Sequence, residues 1–261
     1  MKAVRILVKA ANALLSAAAV LFLITAGSYS AYALWDNAQV YSTADNVMSE
    51  LLSLKPKPAA QEDNGASFEE LLAVNGDVCA WLTLDGTRID YPILQGEDNL
   101  SYINTDVYGS FALAGSIFLD SRCDNTFHDV YALVYGHHMD NGRMFGDLDK
   151  YKDGKFFGEN SAGALILPDR SYKLEIFACM LVPAAEGMIF DTQMRQTDTG
   201  GLLDFAEAEA VHLRPDTVET ARGAESPQII ALSTCSSEYT DARTIVLAYM
   251  TPYTTETQVG G

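Results

Sequence analysis

A cysteine at the end of an apolar run is the first feature of this sequence that could do chemistry. In "ALSTCSSEYTDAR", residues 231–243, Cys235 follows small hydroxyl residues and Arg243 comes eight positions after it. A thiolate nucleophile needs a proton acceptor within reach and a donor for the oxyanion that forms on the attacked carbonyl. Taken alone, such a thiol is more often a buried small side chain than a nucleophile. The rest of the chain must therefore supply its partners.

A pair of histidines follows a second apolar run. His137 comes directly after Tyr-Gly in "VYALVYGHHMDNGRMF", residues 130–145, where the glycine permits a turn that aims the ring. Imidazole takes up and releases a proton near neutral pH, whereas arginine, with a pKa above about 12, can only donate. We therefore expect His137 to transfer protons and Arg243 to hold an oxyanion. His128 and His212 lie in polar or helical stretches and are predicted to be surface groups.

Short strands must position these residues. Eight apolar segments are typical of strands, and this number of short strands predicts a mainly β fold, either a closed barrel or a sandwich. Two intervening stretches, 144–153 and 200–213, have a helical pattern. The eight predicted strands lie within residues 79–84, 87–94, 115–120, 130–136, 163–168, 172–182, 227–235 and 244–250.

The N-terminal region predicts a membrane anchor. Residues 10–35 carry no charge, and at about 1.5 Å rise per residue a helix of this length can cross a hydrocarbon core of roughly 30 Å. Basic residues precede the span and an acidic residue follows it, so residues 1–9 are predicted to be a cytoplasmic tail and the remainder to be exported. A cleavable signal peptide is the alternative, but the apolar stretch is long for a signal core, which favours an uncleaved anchor.

Two further regions follow the anchor. Residues 36–66 are predicted to form a juxtamembrane helix and a linker, because Val47, Leu51 and Leu54 make a helical stripe before "KPKPAAQEDNGA" breaks the periodicity. Residues 67–261 have the size and apolar content of a single catalytic domain.

The exported part is strongly acidic. Three of the 17 basic residues lie within the first 35 residues, which leaves 14 against 35 acidic residues and a formal charge of −21. Such a surface repels phosphate backbones, so nucleic acid is a poor partner. The charge favours solubility and does not bear on catalysis.

Three more cysteines belong to the exported part. They are Cys79, Cys123 and Cys179, and in an oxidising exterior one or two disulfides are the first interpretation. Cys79 and Cys179 lie in apolar, strand-like runs, where a small buried thiol is the commonest explanation. Cys123 lies in a polar loop, and the sequence leaves its role open.

Three separated blocks of the sequence occur together in one known family. They are "DYPILQGEDNLSYINTDVYGSFALAGSIFLD" at 90–120, "YGHHMDNGRMFGDLDKY" at 135–151 and "LSTCSSEYTDAR" at 232–243. With these blocks the chain resembles the class B sortases, transpeptidases of Gram-positive bacteria that join surface proteins to the cell envelope. The resemblance covers roughly residues 68 to 250. It implies a sortase-like closed β-barrel of about eight strands with short peripheral helices, preceded by a transmembrane helix.

The resemblance also implies roles for individual residues. The family's catalytic histidine directly follows Tyr-Gly, here His137, and its cysteine ends an L-x-T-C motif, here Cys235. Its arginine lies on the next strand, here Arg243. No cofactor and no metal are implied. The residues implied to bind substrate are Thr234, beside the oxyanion, Ser233, Asn99, at a position near the histidine in similar proteins, and Ile103, at a position that lines the peptide groove.

The implied activity is transpeptidation. Cys235 would attack a Thr-Gly or Thr-Asn bond in a C-terminal sorting motif such as N-P-x-T-x, form a thioacyl enzyme and pass the acyl group to an amine. The implied partners are exported proteins bearing such a signal, a peptidoglycan or pilin amine, and the membrane. The implied location is the cell membrane, with a single span and an extracellular catalytic domain. The stretch 183–215 matches no readable substrate motif, which leaves the exact signal open.

Three alternatives remain at this point. A thiol endopeptidase would share the first half-reaction and let water resolve the intermediate. A non-catalytic exported binding domain would use Cys235, His137 and Arg243 only as core or rim residues. A metal site of His137, His138 and Cys235 is disfavoured, because adjacent residues seldom reach one ion and no second cysteine stands at ligand spacing.

Overall fold

The structure, a computed structural model, describes residues 2–57, 65–235 and 241–253. The side chains at positions 43, 65–67 and 235 are not included. The thiol of Cys235, most of the loop that follows it and part of the predicted linker therefore lie outside the described residues. The chain divides into two compact units, Met1–Asn46 and Val47–Gly261.

The N-terminal helix α1 (Lys2–Leu52) runs without a break through the predicted anchor and the predicted juxtamembrane helix. Its 51 residues correspond to about 75 Å at 1.5 Å rise per residue. Its apolar stretch is exposed, and by length and composition it can cross a membrane. Near its C-terminal end Leu51 is buried in a cluster with Phe68 and Trp81, so the last turns belong to the core of the second unit.

Among the described residues, nine strands form one sheet that closes into a barrel. They are β1 (Val78–Leu84), β2 (Asp90–Leu94), β3 (Phe118–Leu119), β4 (Tyr131–Tyr135), β5 (Ala162–Ile166), β6 (Ser171–Pro183), β7 (His212–Leu213), β8 (Gln228–Cys235) and β9 (Ala242–Pro252). Eight of them follow the order β5-β1-β2-β3-β4-β8-β9-β6, and the pairing of β5 with β6 closes the ring.

The predicted closed barrel of about eight strands is confirmed by this topology. The short strand β7 was not predicted, because its two residues fall within the stretch 200–213 that has a helical pattern. The helix in that stretch ends at Glu209, and the chain then extends along β6.

Short helices occupy the long connections of the barrel. Several begin after a carboxylate that accepts a hydrogen bond from a backbone N–H of the first turn, which satisfies a donor the helix itself leaves unpaired. The helices are α2 (Gly65–Val74), α3 (Gly154–Glu159), α4 (Gly187–Phe190), α5 (Thr192–Arg195), α6 (Thr199–Glu209), α7 (Pro215–Gly223) and two 3-10 helices, Asp140–Gly142 and Gly146–Lys152.

One core cluster lies between one face of the sheet and the helices α6 and α7. Alternate residues of the central strands point into it, as the two-residue repeat of a strand requires. Leu202 and Ala206 of α6 and Val218 of α7 cover this face. The helices therefore brace the strands that carry the candidate catalytic residues. The strand residues of the cluster include Tyr131, Leu133, Phe177, Ile229, Ala231, Ile245 and Leu247.

Replacing the buried thiol of Cys179 tests the packing between β6 and β9. Cys179 is fully buried on β6, opposite Val246 of β9. We expect Cys179→Ala to lower the free energy of unfolding by about 1–2 kcal/mol, because the lost sulfur leaves a cavity in a close-packed interior. Urea unfolding measures the change, and an unchanged slope with denaturant would assign it to the folded state. An unaltered midpoint would contradict the packing of this strand pair.

Candidate active site

Parallel pairing of β4 with β8 brings the histidine loop to the end of the cysteine strand. Tyr135 is the register partner of Ser233, and the backbone N–H of Gly136 donates to the carbonyl of Ser233 at 3.1 Å. His137 is the next residue after this hydrogen bond. The ladder thus fixes where the chain leaves β4 relative to the last residues of β8.

Antiparallel pairing of β8 with β9 brings Arg243 opposite Cys235. The two residues are direct Cα partners at the end of the ladder, and Thr234 pairs with Thr244 beside them. Directly opposite residues of an antiparallel pair have Cα atoms about 4.5–5.5 Å apart. The backbone register therefore places the cysteine position next to the arginine.

A cleft of about 420 Å³ lies where these strand ends meet. Five of the residues singled out in the sequence line it, namely Ile103, His137, Ser233, Thr234 and Arg243. An aromatic wall completes it: the rings of Phe118 and Tyr135 have centroids 5.3 Å apart, and Tyr135 stacks on Phe190 at 6.4 Å. The remaining lining residues are Arg122, Gly136 and Ala184.

The His137 ring is held by a backbone carbonyl. Its Nε2 lies 2.7 Å from the carbonyl oxygen of Ile103. A carbonyl can only accept, so Nε2 carries the hydrogen of the neutral ring and Nδ1 is left to take up a proton. Gly136 permits this arrangement, because a Cβ there would lie 2.8 Å from the ring of Phe145.

Arg243 lines the cleft, and one hydrogen-bond donor of its guanidinium is bound by the backbone. Its Nη1 donates to the carbonyl of the neighbouring Ala242 at 3.0 Å. Within residues 2–57, 65–235 and 241–253, no ion pair includes this guanidinium. A planar cation in this position can donate to an oxyanion formed beside Cys235.

A buried carboxylate behind the aromatic wall organises one side of the cleft. Asp120 is fully buried. One of its oxygens accepts from the backbone N–H and Nε of Arg122, and the other accepts from Arg122 Nη2 at 2.7 Å, from the Tyr135 hydroxyl and from Asn99 Nδ2. Arg122 Nη2 also donates to the carbonyl of Phe190 at 3.0 Å. Asp120 therefore ties the wall residues to one another.

The charge of Asp120 is stabilised by these donors. Burial alone would raise the pKa of the Asp120 carboxyl, but the hydrogen bonds from Arg122 and Tyr135 outweigh burial and lower the pKa below its usual value. Sequence reasoning missed this group. The signal available was an acidic residue at the end of an apolar run with an arginine two positions later, in "FLDSR".

The predicted substrate-binding residues occupy different places. Asn99 is not among the residues that line the cleft, and both ends of its amide are engaged, Nδ2 with Asp120 and Oδ1 with the backbone N–H of Ser121 at 2.7 Å. Thr234 lines the cleft at 2% exposure, and its hydroxyl has no hydrogen-bond partner among the described residues. A buried hydroxyl without a partner is costly, so Thr234 is suited to a bound ligand.

The second histidine, His138, contacts a carboxylate instead of the Ile103 carbonyl. His138 Nε2 lies 3.2 Å from Asp149 Oδ2, whereas His137 faces the carbonyl of Ile103. The two rings therefore do not converge on one point, which argues against a shared metal ion. His212, predicted to be a surface group, is instead half-buried, and its Nε2 lies 2.8 Å from the carbonyl of Lys152. The helical pattern includes His212, but the helix α6 ends at Glu209.

The other three cysteines are unbridged. No disulfide includes Cys79, Cys123 or Cys179 in the described part of the chain, so the disulfide interpretation is wrong for these residues. Burial raises the pKa of both Cys79 and Cys123 to about 12. They remain protonated near neutral pH and lack the thiolate that a nucleophile requires.

Comparisons with known proteins agree with this geometry. No family model matches the sequence. The chain is 34% identical over 172 residues to sortase B of Listeria monocytogenes, a match that covers 66% of this chain and 68% of that protein. It is similar to the structure of a Streptococcus pyogenes class B sortase involved in pilus biogenesis (TM-score 0.64, 38% identity, 72% of this chain and 99% of that one). A mutant form of Clostridium perfringens sortase B is also similar (TM-score 0.68, 26% identity, 78% and 96%).

The Asp120 network makes a pH-dependent prediction. We expect Asp120→Asn to lower the free energy of unfolding by about 1–3 kcal/mol at pH 7, because an amide cannot replace a carboxylate toward all of these donors. A carboxyl whose pKa is lowered by folding stabilises the protein above its ordinary pKa and loses that contribution as the pH falls through the lowered value. The deficit of the variant should therefore shrink below about pH 4.

Urea unfolding at pH 7 and pH 3.5 measures this effect. Asp204→Asn is the matched control, because this exposed carboxylate pairs with Arg222 on the surface and should contribute less than about 1 kcal/mol. A deficit for Asp120→Asn that is the same at both pH values would contradict the assignment of the charge.

Proposed function

Because this chain belongs to the sortase B family and is a cysteine transpeptidase, we propose that it cleaves a C-terminal sorting motif of the Asn-Pro-x-Thr-x type and transfers the acyl part to an amine of the cell envelope. The observation that carries this proposal is the pairing of Cys235 with Arg243 at the end of β8 and β9. His137 and Arg243 line the same cleft, which supports a site in which a proton carrier and an oxyanion donor act beside the cysteine position.

The first half-reaction forms a thioacyl enzyme. The Cys235 thiolate attacks the carbonyl carbon of the motif threonine, and the carbonyl π electrons move to oxygen. Arg243 donates to the resulting oxyanion. His137, protonated at Nδ1 by the thiol proton of Cys235, gives that proton to the leaving amine when the tetrahedral intermediate collapses, and the peptide bond breaks.

The second half-reaction transfers the acyl group. An incoming amine attacks the thioester carbonyl, and the second oxyanion again lies beside Arg243. His137 accepts the proton that the attacking amine loses. Cys235 then leaves as a thiolate, so the enzyme returns to its starting state and the new amide carries the exported protein.

The proposed setting is the outer face of the cell membrane. The apolar stretch of α1 can span a bilayer, and the basic residues before it favour a cytoplasmic N-terminus. The catalytic domain would then be extracellular and would meet exported proteins that bear a sorting signal. A similar structure is that of a class B sortase involved in pilus biogenesis, so we include a pilin amine with a peptidoglycan amine as candidate acceptors.

Cleavage and ligation of a synthetic peptide test the proposal. The probe contains Asn-Pro-Ala-Thr-Gly, offered with triglycine or with a peptide whose only amine is a lysine side chain, and the products are weighed by mass spectrometry. We expect a ligated product from the wild-type protein and none from Cys235→Ala, because alanine offers no nucleophile. Cys179→Ala should retain turnover.

Two results would count against the proposal. Cleavage by Cys235→Ala would remove this residue as the nucleophile. A wild-type protein that yields only hydrolysed peptide in excess of either amine would favour a thiol endopeptidase.

The role of Arg243 makes a separate prediction. Loss of one oxyanion donor costs roughly 10²- to 10³-fold in the chemical step, so Arg243→Ala should acylate that much more slowly. Lysine keeps the charge but not the planar fork, so Arg243→Lys should bind peptide and still lose most of its turnover. Single-turnover acylation measures both variants.

The matched control is Arg222→Lys. This arginine pairs with Asp204 and Glu207 on the surface, and its replacement should leave acylation unchanged. Acylation by Arg243→Ala at the wild-type rate would show instead that backbone amides alone hold the oxyanion.

A further inference from the structure

One carboxylate connects the neighbours of two catalytic residues. Asp149, in the 3-10 helix Gly146–Lys152, accepts from the Thr244 hydroxyl at 2.7 Å through Oδ1. Its Oδ2 lies 3.2 Å from His138 Nε2 and 3.1 Å from Lys152 Nζ. His138 follows His137 in the chain, and Thr244 follows Arg243.

The end of this connection at Thr244, on β9, is held in place by the sheet. Thr244 is fully buried on β9, where it pairs with Thr234 of β8 and with Leu181 of β6. Strand ladders on both sides leave β9 little freedom to move. Asp149 is therefore held by the sheet, and its other oxygen is aimed at the loop.

The loop that follows His137 contains backbone in an unfavourable conformation. Between His138 and Met144, which form an isolated bridge, Asn141 has a φ of 62° and Met144 itself a φ of 50°. Left-handed backbone is unfavourable for non-glycine residues and persists where surrounding contacts over-determine it. The hydrogen bond from Phe145 N–H to the carbonyl of His137 closes the loop at 3.0 Å.

We propose that Asp149 is a positioning residue that holds the loop of His137 against β9 through His138. The inference rests on the proposed function, because it matters for turnover only if His137 transfers protons. Asp149 touches none of the reacting atoms. It acts by restricting where the backbone of the loop, and with it the His137 ring, can lie.

A second aspartate in the same 3-10 helix provides the comparison. Asp147 is buried, and its Oδ2 accepts from Lys150 Nζ and from the backbone N–H of Arg88, each at 2.8 Å. Among the residues that the structure describes, the hydrogen bonds of Asp147 reach neither His138 nor β9. If the helix needed a carboxylate only for its own stability, substitutions at Asp147 and Asp149 would have similar effects on turnover. Positioning through His138 predicts that their effects differ.

The experiment combines substitutions at both aspartates with one at His138. Asp149→Asn keeps an oxygen for Thr244 but places an amide donor against His138 or Lys152, so it breaks the link at the loop side. We expect a loss in kcat of roughly three- to tenfold with KM little changed, after correction for the folded fraction. The same loss is expected for His138→Leu, which has no hydrogen-bond donor for Asp149. The probe is the Asn-Pro-Ala-Thr-Gly peptide with triglycine.

Coupling between the substitutions separates positioning from a structural role. Asp149→Asn combined with His138→Leu should be no slower than the slower single variant, because both remove one link. Asp147→Asn combined with His138→Leu should multiply the single effects. Wild-type kcat in Asp149→Asn, or multiplied losses for the Asp149 and His138 pair, would overturn the proposal.

Hydrogen exchange gives a readout that does not depend on activity. The Phe145 amide, which closes the loop on His137, should exchange faster in Asp149→Asn than in wild type, and Asp147→Asn should not show this increase. If the wild-type protein fails to cleave the peptide, the proposed function fails while this measurement still decides the inference. Equal exchange in the wild type and Asp149→Asn would overturn the inference alone.

Discussion

The register of β8 between its two neighbours is the constraint on which the site depends. β4 runs parallel to β8 on one side and delivers His137, and β9 runs antiparallel on the other side and delivers Arg243. A slip of one residue in either ladder would move these groups to the opposite face, because strand side chains alternate. The closed barrel prevents such a slip, since β9 is also paired along its length with β6.

Two carboxylates add side-chain contacts to the positions that the strand pairing determines. Asp120 fixes the aromatic wall through Arg122 and Tyr135, and Asp149 links the histidine loop to β9. Neither carboxylate belongs to the reacting groups. In a strongly acidic chain these two differ from the many solvated carboxylates because each accepts several hydrogen bonds at a defined place, so their contribution is positional rather than a matter of net charge.

Apolar runs in the sequence were sufficient to predict the strands, but they left a barrel and a sandwich open. The family resemblance supplied the closed barrel and the expectation that His137 and Arg243 act beside the cysteine. It was insufficient for the contacts across distant segments. Thr244 and Asp149 are 95 positions apart, and periodicity reports which face a residue occupies but not which partner it meets. Asn99 illustrates this limit, since its amide turns to Asp120 behind the wall. The sequence pattern also could not show that the predicted anchor and juxtamembrane helix form one continuous helix, α1. It could not separate the two-residue strand β7 from the helical stretch before it.

The protonated state of Cys79 and Cys123 has a consequence for disulfide exchange within the fold. Thiol–disulfide exchange proceeds through the thiolate, and a pKa of about 12 keeps both thiols protonated near neutral pH. Cys179 is fully enclosed by the sheet. These three sulfurs are therefore poor internal partners for mixed-disulfide formation, so a nucleophilic cysteine in this barrel would be oxidised by small external disulfides and released by external reductants, without shuffling into a cross-link that locks the fold.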